Sequence, residues 1–381
     1  RQVVHVTPAS TIVYEMVATH GMTLSAALSA FESAFGFPAD SDVIPANATN
    51  PAAGATEEEL LEGLRVAAFS QLTDELGLAP AEQFDLLTAL ATDLADGVLD
   101  GKNASGNISI TVADMMPVDI QNQFNTALLN FHDSGLMGDM RGDDQTGLDN
   151  SQIGILPFAK VAMAGTYKVE YVPGLMDAMQ GKTEFKLRIS DAVGNPVSST
   201  VTLDMMMFMS DRKHSTPDLD CDESLTIAGE YDCTVYYVMP TVDAFGNSMG
   251  YWEIKATVDA KSAVFYPQVM MAMGDTTRTL LKGDITNDTI SMMGDTVSRP
   301  YNLFRNNLSG TTGSHNFELF IAPMEIMTSF PALEVGDTLN GIFYVNDVKV
   351  EFSTDATNWV EANAVGVNGS GTWGITGLTG L

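Results

Sequence analysis

The sequence predicts a multidomain α+β protein, an N-terminal helical bundle followed by two immunoglobulin-like β-sandwich domains. Three observations carry that expectation. Apolar residues recur at helical spacing through the first part of the chain, and from Tyr167 onward they alternate at a period of two. Gly, Asn, Asp and Pro turns then separate short strand-like runs. The length of 381 residues suits two or three domains, and a 45% hydrophobic content supplies real cores, which excludes a disordered acidic tail as the whole molecule.

Helix signals come in order. Thr7-Pro8-Ala9-Ser10-Thr11 offers a cap and a first-turn proline before Ile12, Val13, Met16 and Val17. Thr23 precedes Leu24, Ala27, Leu28, Phe31 and Phe35. Thr56 with Glu57-Glu58-Glu59 forms a capping box ahead of the stripe Leu60, Leu61, Leu64, Ala67, Ala68 and Leu72. Ala79-Pro80-Ala81 starts a fourth helix carrying Phe84, Leu87, Leu90, Ala91 and Leu94, and a fifth runs from about Val118 to His132. Together these read as a small bundle over 1–150. Strands follow at Tyr167–Val172, Glu184–Ile189, Thr200–Met209, Tyr231–Met239 and Tyr251–Val258, giving a first sandwich over 151–260. A second set, over 261–381, covers Ala263–Met273, Arg278–Leu281, Tyr301–Phe304, Asn316–Ile321, Gly341–Ser353 and Thr372–Thr376. Trp252 and Trp359 sit in strand patterns and read as core.

The charge narrows the partners. There are 49 acidic and 18 basic residues, a net of −31. Phosphate recognition needs clustered Lys and Arg, so nucleic acid is excluded, and anionic lipid is disfavoured for the same reason. Residues 1–150 hold 22 acids and 4 bases, a net of −18; residues 151–381 hold 27 and 14, a net of −13. No apolar run reaches the roughly 18–20 residues of a membrane helix. Arg1 in place of a methionine suggests a processed or excised chain with its signal peptide gone. Cys221 and Cys233 lie outside any CxxC pattern. They predict one disulfide closing a small loop, worth roughly 2–4 kcal/mol, and so an oxidising compartment; two buried free thiols are the alternative.

Two stretches carry resemblances. Asp93-Leu-Ala-Asp-Gly-Val-Leu-Asp-Gly101, with Val6-Thr-Pro-Ala-Ser-Thr11 upstream, resembles helical modules beside immunoglobulin-like domains in bacterial surface lipoproteins. Gly165-Thr-Tyr-Lys-Val169, Phe185-Lys-Leu-Arg-Ile-Ser-Asp-Ala-Val-Gly-Asn-Pro196, a Met-rich strand and Met249-Gly-Tyr-Trp-Glu-Ile254 resemble the YtkA-like and FixH-like immunoglobulin-type family. That resemblance implies a β-sandwich, and a Met and His pair after the Met-rich strand; here His214 stands further on. Val350–Trp359 and Gly371–Leu378 resemble the ends of bacterial immunoglobulin-like repeats, which usually carry one more strand.

Methionine, at 22 residues, supplies the strongest chemical signal. Thioethers are soft ligands that suit Cu(I), and Met207, Met209 and His214 form the candidate copper set. Core filling by a flexible side chain is the competing reading. Asp93, Asp96 and Asp100, with the two glycines Gly97 and Gly101, form a candidate calcium turn, against a reading as solvated acids at a helix end. Asp218-Leu-Asp-Cys-Asp-Glu223 also spaces its acids like a calcium loop, but reads better as a hairpin pinned by the disulfide. The acids Asp139, Asp143, Asp144 and Asp149 form another candidate, and Arg141-Gly142-Asp143 reads as a coincidental tripeptide. No HxxxH, GxSxG, P-loop or dinucleotide fingerprint occurs, so the chain is read as a non-enzyme. The expected function is a structural or adhesive protein of the bacterial cell surface, a filament subunit in a homopolymer. Val3, Val4 and Val6 would serve as a donated strand that completes a neighbour's sandwich. A secreted or periplasmic copper-binding protein is the alternative.

Overall fold

The computed structural model describes residues 5–39, 42–134, 148–210, 212–272, 278–284, 286–292, 294–311, 313–339, 343–353, 357–367 and 370–378, with the side chains of 218–220, 343 and 367 excluded. Val3, Val4, Asp139, Asp143, Asp144 and the Arg141–Asp143 tripeptide lie outside the described residues.

The first part is helical, with α1 at Pro8–Ala18, α2 at Leu24–Phe35, α3 at Glu57–Glu75, α4 at Gln83–Leu94 and α5 at Ile120–Asp133. The threonine caps act as the sequence suggests. Thr7, Thr23 and Thr56 accept from the amides of Ser10, Ala26 and Glu59 at 3.1, 3.2 and 3.2 Å. Each such cap contributes about 1 kcal/mol. Phe31, Phe35, Phe37, Phe69 and Phe124 meet at the centre, the closest rings 4.6 Å apart. Gly36 ends α2 at φ 78°, and a Cβ there would lie 2.9 Å from the Ile155 carbonyl oxygen. Phe84, expected in the α4 stripe, is instead 70% exposed. It lies in the first turn of α4, whereas Leu87 and Ala91, within about 60° of it round the helix, are buried.

A hairpin of β1 (Lys102–Asn103) and β2 (Gly106–Asn107) follows α4. The next strands are β3 (Val161–Ala164), β4 (Tyr167–Pro173), β5 (Gly181–Ser190), β6 (Val201–Phe208), β7 (Lys213–His214), β8 (Asp218–Glu223), β9 (Glu230–Tyr237), β10 (Tyr251–Val258) and β11 (Lys261–Phe265). They form two antiparallel sheets, ordered β3-β4-β5-β9-β8 and β11-β10-β6-β7. Inward residues of both sheets share one core, including Val169, Leu187, Val235, Met205, Ile254 and Phe265. Strand β11 was expected to continue to Met273 but stops at Phe265. Pro267 brings no N–H to a ladder, and Tyr266 turns into the helical core.

One turn recurs within these sheets. Asp191-Ala-Val-Gly-Asn195 links β5 to β6, and Asp243-Ala-Phe-Gly-Asn247 precedes β10 after β9. In each, the Asp Oδ1 accepts two backbone amides, from Val193 and Asn195 or from Phe245 and Asn247, and its Oδ2 accepts from the Asn side chain. Those side-chain bonds are the main reason both carboxyls titrate below the ordinary range. Because β5 lies beside β9 and β6 beside β10, the two strand–turn–strand units form a structural repeat within the sheets.

The remaining strands are β12 (Arg278–Lys282), β13 (Thr289–Met292), β14 (Asp295–Ser298), β15 (Pro300–Thr311), β16 (Ser314–Pro323), β17 (Thr338–Leu339), β18 (Phe343–Tyr344), β19 (Val348–Phe352), β20 (Val360–Val367) and β21 (Thr372–Leu378). Six of them make an antiparallel sheet, β12-β15-β16-β21-β20-β19. Alternation along β16 serves two cores. Leu319 and Ile321 enter a third core with Trp373 and Ile375, while Phe320 and Ala322 enter the second, where Phe320 stacks on Tyr236 at 4.0 Å. Trp359, expected in the core, is 57% exposed, and Trp373 holds the buried position.

The helical and β parts are sewn together by amide and carboxylate contacts from α5 and its N-cap, Asp119. Asn122 Nδ2 donates to the Val264 carbonyl at 2.6 Å, Asn125 Nδ2 donates to that of Pro157 at 2.8 Å, and Asp119 Oδ2 accepts from the Met163 amide at 3.0 Å. Tyr251 and Tyr266 belong to the same buried cluster as the helices.

Candidate functional site

The most chemically distinctive cluster lies across β7, β6 and β10. Register places His214 opposite Met207 and Met207 opposite Trp252, and cross-strand partners share a face. Alternation along β6 turns Met205 and Met207 inward, where both are buried. Met209 lies just past the end of β6 and is half-buried against the same core. Its amide donates to the Arg212 carbonyl at 2.8 Å, closing the turn into β7.

His214 is 4% exposed. Its Nδ1 lies 2.8 Å from the Ser215 carbonyl oxygen. A carbonyl only accepts, so Nδ1 carries the proton and Nε2 keeps its lone pair. That Nε2 is buried with no hydrogen-bond partner among the described residues. Burial pushes the imidazole pKa down; the Ser215 carbonyl opposes this and the Arg278 guanidinium adds to it. The ring is therefore held neutral, the state in which imidazole binds a metal. Trp252 packs edge-on against both His214, at 5.4 Å, and Tyr237, at 5.1 Å, and donates its Nε1–H to the Met239 carbonyl at 3.1 Å. The Tyr237 hydroxyl is a second buried group with no partner among the described residues. The structure thus brings Met207 and His214 together, sets Met209 nearby on the following turn, and adds Trp252 and Tyr237. The available sequence signal for Trp252 was its place in the strand Tyr251–Val258; only the register revealed that it faces Met207.

The candidate calcium turn is arranged around backbone amides. Asp93 is fully buried; its Oδ2 accepts from the Gly101 amide at 2.8 Å and its Oδ1 from that of Lys102 at 3.1 Å. Asp100 also accepts from the Lys102 amide, and Asp96 accepts from that of Val98. Gly101 has φ 76°, and a Cβ there would lie 2.6 Å from the Pro117 carbonyl oxygen. Among the described residues no three His, Cys, Asp or Glu side chains are placed to hold a metal ion together.

Burial pushes the Asp93 carboxyl up to about 6; the Gly101, Asp100 and Lys102 amides oppose this, and the Asp100 carboxylate adds to it. The folded value lies above the unfolded one, so the contribution to stability is complete below about pH 4 and is lost as pH rises through 6. The expected result is a melting temperature that falls between pH 4.5 and pH 7.5 more steeply in the native chain than in Asp93→Asn. Parallel profiles for the two proteins would refute this account of Asp93. The comparison removes the effect of general acidic repulsion, which both share.

The cysteines form the expected disulfide, Cys221–Cys233, between the adjacent antiparallel strands β8 and β9. Of the neighbouring acids, Glu223 Oε1 accepts from the Gly229 amide at 3.2 Å. Asp149 Oδ1 accepts from the Ser151 amide at 2.7 Å. Val6, of the candidate strand donor, is 89% exposed. At the edge of the six-stranded sheet, β19 pairs with β20 alone among the described residues. Its Val348, Val350 and Phe352 are only half-buried over the third core. Tyr344, Trp359 and Val360 are exposed at 69%, 57% and 56%. No helix among the described residues is long and apolar enough to cross a membrane. No family model matches the chain, and no curated protein matches it.

Proposed function

We propose that this chain is a structural or adhesive protein of the bacterial cell surface that assembles head-to-tail into an extracellular filament by β-strand donation. In this reading residues 1–150 are a helical decoration, and residues 151–260 and 261–381 are immunoglobulin-like sandwiches, the first related to the YtkA-like and FixH-like family. The observation that supports it most is the edge strand β19, paired on one side only among the described residues, with Val348, Val350 and Phe352 half-covered beneath it. An unpaired edge over an incompletely covered core favours an added strand, which supplies main-chain hydrogen bonds and apolar side chains together. The segment Val3-Val4-His5-Val6 is apolar enough to be that strand, and a head-to-tail contact between two different surfaces, where its rotation does not close a ring, propagates as an open fibre. The disulfide is compatible with an extracellular setting. Deleting residues 1–6 is expected to abolish filaments while leaving the melting temperature of the subunit unchanged. Filaments of undiminished length in the deleted chain would refute strand donation.

A second reading, a copper-binding protein, is favoured by one observation, the buried His214 Nε2 with no hydrogen-bond partner among the described residues, on the residue paired with Met207. Met207, Met209 and His214 would hold Cu(I), with Trp252 shielding it. In competition with a Cu(I) chelator, one equivalent should be lost in the Met207→Leu, Met209→Leu, His214→Phe triple variant. An unaltered native chain that takes up no Cu(I) would rule the reading out.

A further inference from the structure

We propose that the chain carries a separate, surface-exposed thioether site for a soft monovalent cation, Cu(I) or its analogue Ag(I), formed by Met179 and Met270, with Met176 three residues before Met179 in the same loop. In the sequence these methionines belong to two clusters far apart, one between β4 and β5 and one beyond β11. The fold clips the two segments together. The Met270 amide donates to the Ala178 carbonyl at 2.9 Å, and the Gln180 amide donates to the Met270 carbonyl at 2.8 Å. These bonds flank Met179 and make Met179 and Met270 partners in a parallel bridge. Bridge partners project to the same face, so their two flexible side chains leave the backbone side by side. The positions are further fixed by Thr183, whose Oγ1 accepts from the Met179 amide at 3.2 Å and donates to its carbonyl at 3.1 Å.

Exposure separates this site from the buried one. Met270 is 49% exposed, Met176 is 61% exposed, and Met179 is half-buried. A Met that only fills a core has its sulfur enclosed by carbon. Here methionines from two segments stay partly exposed on backbones held in register. That arrangement costs apolar exposure, which ligation of a cation by the sulfurs would offset. Sulfur ligands select a soft ion such as Cu(I) over the hard cations that carboxylates attract. The net charge of −31 draws any cation toward the chain, and the thioethers decide which one stays. No histidine is required, because soft monovalent ions accept low coordination by sulfur alone. The site does not depend on the His214 cluster and stands or falls without it.

The test uses Ag(I), which avoids oxidation during the titration, with the full chain labelled with 13C at its methionine methyls. Calorimetric titration of the native chain should show an equivalent that disappears, or weakens at least tenfold, in Met176→Leu, Met179→Leu, Met270→Leu. Leucine keeps the volume and apolar character, so folding should be retained, as checked by circular dichroism. In the native chain, Ag(I) should shift the methyl resonances of Met179 and Met270. His214→Phe should leave that equivalent in place. The proposal is overturned if the native chain takes up no Ag(I), if the triple Leu variant binds as the native chain does, or if His214→Phe alone removes all binding.

Discussion

Replacing Arg299 with methionine is expected to destabilise the folded chain by about 3–5 kcal/mol, the usual cost of removing one partner from a buried ionic cluster. Arg299 has no exposed surface. Its Nε donates to Asp288 Oδ1 at 2.8 Å and its Nη1 to Glu325 Oε1 at 2.5 Å. Tyr301 donates its hydroxyl to the other Asp288 oxygen at 2.5 Å. The backbone joins the same knot, because the Arg299 amide donates to the Asp288 carbonyl at 2.9 Å and the Gly283 amide to that of Arg299 at 2.8 Å. One guanidinium therefore ties the β13–β14 hairpin, the start of β15 and the segment after β16. Methionine fills part of the volume but leaves the Asp288 and Glu325 carboxylates facing each other without a cation. Urea unfolding should show the loss as a lower midpoint. Pairing Arg299→Met with Asp288→Leu should recover part of it, since the stranded charge is then gone. A single variant within 1 kcal/mol of the native chain would show that the cluster is dispensable.

Trp252→Ala should cost a similar amount, about 3–5 kcal/mol, through the cavity it leaves in the second core. The indole is fully buried, supports His214 and Tyr237 edge-on, and satisfies the Met239 carbonyl. Its loss should also reach the imidazole. Burial is what holds the His214 pKa down, so water entering the cavity should raise it toward the ordinary histidine range. Titration of the ring by NMR in native and Trp252→Ala chains separates the two effects. A destabilised variant whose His214 titrates unchanged would mean that Trp252 packs the core without controlling the site.

Much of the helical part was legible in the sequence because its signals are local. Thr7, Thr23 and Thr56 lie within a turn of the amides they cap, and the apolar stripes need only the chain's own periodicity. Phe84 misled because it falls in the first turn of α4, where the stripe it belongs to is not yet covered. The strands β5, β6, β9 and β10 were readable from alternation, but their pairing was not. Register is set by long-range packing, so neither the His214–Met207–Trp252 row nor the Met179–Met270 bridge could be read off one segment. Strand β20, rich in Ala and Gly with exposed Val360 and Val365, carries too weak an alternation to announce itself. The turn Asp243–Asn247 is a near copy of Asp191–Asn195 in sequence. Its meaning, a repeated strand–turn–strand unit, needed the sheet order. Arg299 gave no signal, because nothing in its neighbours marks a buried charge.

The measurement closest to the main proposal is the size and shape of the full chain at micromolar concentration, by light scattering followed by electron microscopy of the same sample. Strand donation across the β19 edge requires extended filaments of repeating subunits, shortened by an excess of a peptide spanning residues 1–7. A monodisperse monomer at every concentration, with residues 1–6 packed on their own subunit, would contradict it.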